Sequence, residues 1–255
     1  MANTLYVGTA EGSFATISDA VKAAADGDII IVKGGEYTLT NETVSINKAL
    51  TVKAEGDVTV DQFGIGSGTA KPQDIVIEGF TFKPSVCAVE AGRTAGIYQN
   101  GTNLTSLTVS GCTFDLTAVT TGTTGYGIHL DLNFSGTEKV TVDGCTFNGD
   151  GNWVTSAMRA SYQSSIEFTN HTVTDVSGMG VQLSLTGPTW GYKGEAEVVF
   201  DGNEFTNIGS NAIHAADIAN DNTNFVVTDN TITNAQLNGG SQYWGAIRFG
   251  SGYVN

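Results

Sequence analysis

A pattern that recurs at six places in the chain fixes what it can fold into. Residues 107–116 read Leu-Thr-Val-Ser-Gly-Cys-Thr-Phe-Asp-Leu, and residues 75–82, 140–147, 166–173, 198–205 and 225–232 carry close relatives of it. Registered on Gly79, Gly111, Gly144, Asn170, Gly202 and Asp229, the units stand 32, 33, 26, 32 and 27 residues apart. Within each unit apolar residues alternate with polar ones on both sides of a Gly, Asn or Asp. Alternation is the strand period, and the central residue type tolerates a positive φ, so each unit reads as strand, sharp bend, strand. One such unit cannot bury its apolar side alone. Stacking the units as coils of a solenoid buries them as ladders. Phe82, Phe114, Phe147, Val173, Phe205 and Ile232 form one expected ladder, with neighbours about 4.8 Å apart, the distance between paired strands.

A further strand follows each unit. Its cores are Gly96-Ile97-Tyr98, Gly127-Ile128-His129, Ala157-Met158-Arg159, Gly180-Val181-Gln182, Ala212-Ile213-His214 and Ala246-Ile247-Arg248. A small, an apolar and a long polar residue recur in that order. If the apolar residue points inward, the polar one points out. The fold class is therefore all-β, a parallel β-helix of roughly eight coils by the repeat count.

Composition agrees and excludes some partners. With 33 Gly and only 3 Pro the chain suits many strands joined by tight turns. Its formal charge is −15, with 11 Lys and Arg. Nucleic acid and anionic membrane surfaces are thus disfavoured partners. No apolar run is long enough to span a bilayer, so no membrane insertion is expected. Residues 1–12 lack the basic stretch and apolar core of a signal peptide. Acidic, Lys-poor, Thr/Asn-rich composition points to the cell exterior or a virion. Cys112 and Cys145 share one repeat position and are expected to stack as small buried residues on adjacent coils. Cys87 is left over, so the redox state of the three is open.

The first 27 residues read as a short strand and an amphipathic cap. Phe14, Ile17, Val21 and Ala24 share a helical face over 14–25, Thr16 and Asp19 resemble a capping box, and Gly27 is a natural stop. Such a helix covers the open end of a stack, which otherwise presents apolar core and unpaired strand edges. Coils then fill 28–255 as one domain. Strands are expected at 28–33, 44–46, 50–52 and 58–60, a turn at 34–37 and a Gly-rich loop at 62–71. The opening Phe14-Ala-Thr-Ile-Ser-Asp-Ala-Val, then Asp26-Gly-Asp-Ile-Ile-Ile-Val, Gly35-Glu-Tyr and Ile46-Asn-Lys-Ala-Leu-Thr-Val resembles that of pectin-lyase-like right-handed parallel β-helix proteins. That superfamily includes pectin methylesterases and many bacterial surface and phage proteins. The resemblance implies the fold and, with the repeats, covers almost the whole chain. It does not specify an activity.

The best candidate site is the outward row Tyr98, His129, Arg159, Gln182, His214 and Arg248. A column of donors suits a hydroxyl- and carboxylate-rich polymer, because Arg grips a carboxylate with a planar fork. Tyr126, Trp153, Tyr162, Trp190, Tyr192, Tyr243 and Trp244 lie on or near the loops that flank the row, and the long connections are 83–94, 115–126, 185–195 and 235–244. Aromatic faces there can stack on sugar rings; equally, they can cover the core edge. For proton transfer, His129 pairs with Arg159 or Asp131, and His214 with Asp217 or Arg248. The two His are three coils apart, roughly 14 Å, too far to share one site. Asp131 alone is clearly on the face of its His, and both imidazoles read more simply as solvated.

The motifs of the known enzymes of the superfamily are not found. The paired Asp of pectin methylesterases is missing, and so is the polygalacturonase combination of Asn-x-Asp, Asp-Asp, Gly-His-Gly and Arg-x-Lys. Asp143 and Asp201 sit on one outward column but are separated by Thr169, so a Ca²⁺ site is unsupported and no cofactor is expected. His171, Asn203 and Asn230 occupy equivalent positions beside the bend and read as structural. The expectation is a non-catalytic surface or virion module, a stalk, assembly unit or adhesin, that contacts glycans along the row. The alternatives are a lyase or hydrolase with an unfamiliar site on that row, and a self-stacking homopolymer. No amphipathic segment follows residue 249, so the last coil is expected to be covered by another subunit or domain, or by residues 250–255 folding over it.

Overall fold

Six bends turn the sequence pattern into a coil. Gly79, Gly111, Gly144, Asn170, Gly202 and Asp229 all have positive φ, between 51° and 78°. Each lies between a strand of one face and a strand of the next. The structure, a computed structural model, describes residues 2–37, 44–67, 73–84, 88–90, 93–99, 104–119, 124–131, 139–152, 155–161, 165–184, 196–216, 223–238 and 245–249. It is a right-handed parallel β-helix with three faces and an N-terminal capping helix.

The first face stacks Gln73–Glu78, Leu104–Ser110, Lys139–Asp143, Ile166–Thr169, Ala196–Asp201 and Thr223–Thr228 in parallel. The second stacks Thr81–Phe82, Thr113–Asp115, Thr146–Asn148, Thr172–Thr174, Glu204–Ile208 and Thr231–Ala235. Leu50–Val60 runs through both faces as one strand, bent at Glu55-Gly56-Asp57. The third face stacks eight strands: Val44–Ile46, Phe63–Ile65, Arg93–Gln99, Thr124–Asp131, Thr155–Ser161, Val181–Ser184, Ile213–Ala216 and Ile247–Phe249.

The expected aromatic ladder forms in register. Phe82, Phe114, Phe147, Val173, Phe205 and Ile232 face one another coil by coil. The rings of Phe82 and Phe114 are 4.9 Å apart and 8° from parallel; those of Phe114 and Phe147 are 4.7 Å apart and 4° from parallel. The rings therefore stack face to face along the ladder. The ladder also explains the small residue before each third-face apolar position. A Cβ on Gly127 would lie 2.6 Å from the Phe147 ring, and one on Gly96 would lie 2.9 Å from Phe82 and Phe114.

Three readings of the sequence need correction. The helix is Ile17–Ala23, not 14–25. Phe14 belongs to the sheet instead: its N–H donates to the Tyr6 carbonyl at 2.7 Å, and it bridges Val7. Residues 34–37 are not a separate turn but the end of the strand Ile29–Tyr37, which shifts register between Lys33 and Gly35. The span 62–71 is not all loop, because Phe63–Ile65 pairs with Val44–Ile46 and Arg93–Gln99. In addition, Ala88–Glu90 forms a short antiparallel pair with Arg93–Gln99 that alternation did not foretell.

The cap is held by groups that the sequence pattern only partly shows. Thr16 accepts from the Asp19 N–H at 3.0 Å and donates to the Asp19 carboxylate at 2.8 Å. At the other end Lys48 Nζ donates to the carbonyls of Val21, Lys22 and Ala24 at 2.8, 2.9 and 2.5 Å. Those carbonyls are among the four that every helix leaves unsatisfied, and a cation is favoured there by the helix dipole. Asp26 accepts from the Ala49 N–H at 3.0 Å, and Ala49 accepts from the Gly27 N–H at 2.7 Å. The segment Ile46-Asn-Lys-Ala-Leu thus ties the cap to the second coil. Replacing Lys48 by Met removes a charge-assisted bond to three carbonyls and is expected to cost about 2 kcal/mol. Urea denaturation checks this; an unchanged midpoint contradicts the assigned role.

At the far end the stack is less covered. Among the described residues Ile247 and Phe249 are 37 % and 42 % exposed, and Phe225, Val227 and Ile232 are only partly buried.

Candidate functional site

The third face carries the row. Parallel pairing sets Tyr98 beside His129, then Arg159, Gln182, His214 and Arg248 in one unbroken column. The apolar residues before them, Ile97, Ile128, Met158, Val181 and Ile213, are all buried, so the side-chain direction follows from strand alternation. Gly64 faces Tyr98 on the preceding coil, so the column of side chains ends there at a glycine.

The row is not uniformly solvated. His129 is 4 % exposed and His214 6 %, which corrects the reading of both as solvated imidazoles. The cause at His129 is Tyr126. This residue is not on a flanking loop; it lies in the strand Thr124–Asp131, is 5 % exposed, and stacks on the His129 ring at 4.6 Å and 10°. Arg159 on the next coil reaches the Tyr126 hydroxyl, with Nη1 at 3.5 Å. Tyr126, His129 and Arg159 therefore form one packed cluster across two coils. At His214, Nδ1 lies 2.9 Å from the Met179 sulfur. Tyr98, Arg159, Gln182 and Arg248 are half-buried, each with a flank open to solvent.

Registers separate His129 from His214 by three coils, as their spacing implied. The Asp131 side chain, Trp153, Tyr162, Trp190, Tyr192, Asp217, Tyr243 and Trp244 lie outside the described residues, as does Cys87.

The other polar columns are occupied by the fold itself. Asp143 accepts from Thr169 Oγ1 at 2.7 Å and Asn170 Nδ2 at 2.8 Å, and these bonds hold its carboxyl below the usual carboxylate range. Asp201 accepts from Thr228 Oγ1 at 2.5 Å, and Thr169 stands between the two Asp in register. Among the described residues no three His, Cys, Asp or Glu side chains are placed to share a metal ion.

The column beside the bend is a hydrogen-bond ladder. The N–H of Cys112 is 3.4 Å from Cys145 Sγ, and the N–H of Cys145 donates to His171 Nδ1 at 2.9 Å. The N–H of His171 donates to Asn203 Oδ1 at 3.0 Å, and that of Asn203 to Asn230 Oδ1 at 3.1 Å. Cys112 and Cys145 are free, buried thiols on adjacent coils. The facing Cys112 sulfur and then burial push the Cys145 thiol up from its ordinary value. A second ladder, which the repeats did not single out, links Asn234 to Asn207 at 3.1 Å and Asn207 to Asp175 at 2.9 Å.

This geometry of three stacked parallel faces decides the fold relationship. The fold is a parallel β-helix. The chain is similar in structure to a PL6 family alginate lyase, AlyGC, with a TM-score of 0.56 and 14 % sequence identity. The match covers 98 % of this chain and 39 % of the lyase. A point mutant of the same enzyme matches at a TM-score of 0.43 and 11 % identity, over the same shares of the two chains. No protein-family model matches the chain, and no curated protein matches it. At this identity the β-helix likeness establishes architecture; chemistry has to be argued from the row itself.

Proposed function

We propose that this chain is a glycan-contacting β-helix module of an extracellular surface or virion protein, and that it holds an acidic polysaccharide along the row without cleaving it. The observation that carries the reading is the register of that row: Tyr98, His129, Arg159, Gln182, His214 and Arg248 stand one per coil. Successive coils rise about 4.8 Å, comparable to the length of one sugar residue in an extended chain. A polymer lying along the stack meets the half-buried Tyr98, Arg159, Gln182 and Arg248, while His129 and His214 lie buried in the same column. Two of the six are Arg, on a chain whose formal charge is −15, so the row selects for carboxylates that the surrounding surface repels. Binding rather than cleavage is favoured by the burial of His129, stacked against Tyr126, which keeps a ligand on the row out of reach of the imidazole. A base must come within hydrogen-bond reach of the proton it takes. The half-exposed Ile247 and Phe249 of the last described coil support contact with a further protein unit at that end.

A second reading has one observation of its own. Arg159 within reach of the Tyr126 hydroxyl is an arrangement in which the guanidinium neutralises a uronate carboxylate while a phenol exchanges a proton. That is the chemistry of a lyase acting on an acidic polymer such as alginate, the substrate named for the structurally similar enzyme. Titrating the protein with alginate, polygalacturonate and a neutral glucan separates the two. The binding reading expects affinity for the acidic polymers, about tenfold or more lost in Arg159→Ala, and no new reducing ends. Release of unsaturated products that stops in Tyr126→Phe overturns it in favour of the lyase.

A further inference from the structure

One rung of the bend ladder differs in kind from the others. Where Cys112, Cys145, Asn203 and Asn230 carry thiols or amides, His171 carries an imidazole, 1 % exposed. Its Nδ1 is 2.9 Å from the Cys145 N–H, and its Nε2 is 3.0 Å from the Val142 carbonyl. A backbone N–H only donates and a carbonyl only accepts, so the ring proton belongs on Nε2 and Nδ1 accepts. The neutral ring thereby satisfies one donor and one acceptor of the preceding coil. Asn203 does the same one coil on, with Nδ2 at 2.9 Å from the Phe168 carbonyl.

An amide keeps both roles at any working pH; an imidazole does not. A proton added at Nδ1 can turn only to the Cys145 carbonyl at 3.3 Å, and it leaves the buried Cys145 N–H without an acceptor. The surroundings oppose that charge. Phe168 packs 3.8 Å from the ring and Phe147 5.7 Å. The next coil contributes Asn203, which does not titrate. The coil before contributes the Cys145 thiol and Asp143, and Asp143 is the charge that favours the imidazolium. Burial outweighs it and lowers His171 to about 4.

We propose that His171 makes the joint between the Cys145 and Asn203 coils an acid-release point, at which protonation parts the ladder while the thiol and amide rungs stay closed. The sign follows from linkage. Between the ordinary imidazole value and about 4, the unfolded chain binds a proton that the folded chain refuses. Stability is therefore unaffected above about pH 6.5 and falls as the pH drops through that window. From pH 7.5 to 4.5 the folding equilibrium is expected to lose on the order of 70-fold through this residue alone.

The test compares wild type with His171→Asn, which installs the amide used by the next rung, and with His171→Gln in case Asn does not fold. Folding equilibrium constants from urea unfolding at pH 7.5 and 4.5 should fall further in wild type than in the variant by that ratio. In wild type, NMR should show His171 titrating far below its ordinary value, with the Cys145 amide losing hydrogen-exchange protection as it does. Equal acid sensitivity in wild type and variant overturns the proposal. So does an imidazole that titrates near 6.5 with the Cys145 amide still protected.

Discussion

Replacing Phe147 by Ala is expected to destabilise the protein by about 4 kcal/mol. The ring is fully buried and lies in the middle of the ladder, stacked on Phe114 at 4.7 Å, 5.8 Å from Phe168 and edge-on to His171 at 5.7 Å. Truncation removes its transfer free energy and leaves a cavity that the hydrogen-bonded strands on both sides cannot collapse into. It also forfeits aromatic contacts worth about 1 kcal/mol. Gly127 supplies an internal check. A Cβ there clashes with the Phe147 ring and the Ala157 carbonyl, both at 2.6 Å, so Gly127→Ala alone should destabilise. In the Phe147→Ala background half of that clash is gone and the cost should shrink. Urea unfolding of the two single mutants and the double mutant measures the coupling. A loss under about 1 kcal/mol for Phe147→Ala, or strict additivity in the cycle, would contradict the ladder as a main source of the fold's stability.

Asn203→Leu should cost nearly as much, about 3–4 kcal/mol, for a different reason. The volume is roughly kept, but the His171 N–H and the Phe168 carbonyl both lose their partner, and Asn203 is fully buried. Each orphaned group carries its own desolvation penalty. Asn203→Cys should be milder, because a thiol holds the equivalent position at Cys112 and Cys145. Thermal or urea unfolding of the two variants gives the order. A Leu variant as stable as the Cys variant would mean that the ladder fills space and bonds nothing.

The parts of the fold that were legible are those where the chemistry repeats. Bend residues, ladder and row could be registered on one another because each returns at the same offset from a Gly, Asn or Asp. The parts that were not legible depend on a single coil. Phe63–Ile65 is a strand, but Gly64 and Gly66 interrupt the alternation that would have shown it. Phe14 has the spacing of a helical face, yet sheet bonds to Tyr6 and Gly8 claim its backbone. Lys48 as the helix's C-terminal cap joins residues 24–27 apart, a contact that no local pattern encodes.

For the row, alternation gave direction but not depth. It placed Tyr98, His129, Arg159, Gln182, His214 and Arg248 on one outward column, and they stand there. It could not show that Tyr126, three residues before His129, stacks on that imidazole, because the regular pairing is interrupted at Gly127 between the two. Periodicity reports which side of a strand a residue takes. What then covers that side depends on neighbouring coils.

Oligomers of an acidic glycan, graded in length and titrated calorimetrically, test the central claim most directly. If the polymer lies along the row, affinity should climb with oligomer length until the oligomer spans the column from Tyr98 to Arg248, about 24 Å at one strand spacing per coil, and then level off. Arg159→Ala should flatten the climb from its middle. Affinity already complete with a disaccharide, or absent at every length, would contradict a row that acts as one continuous site.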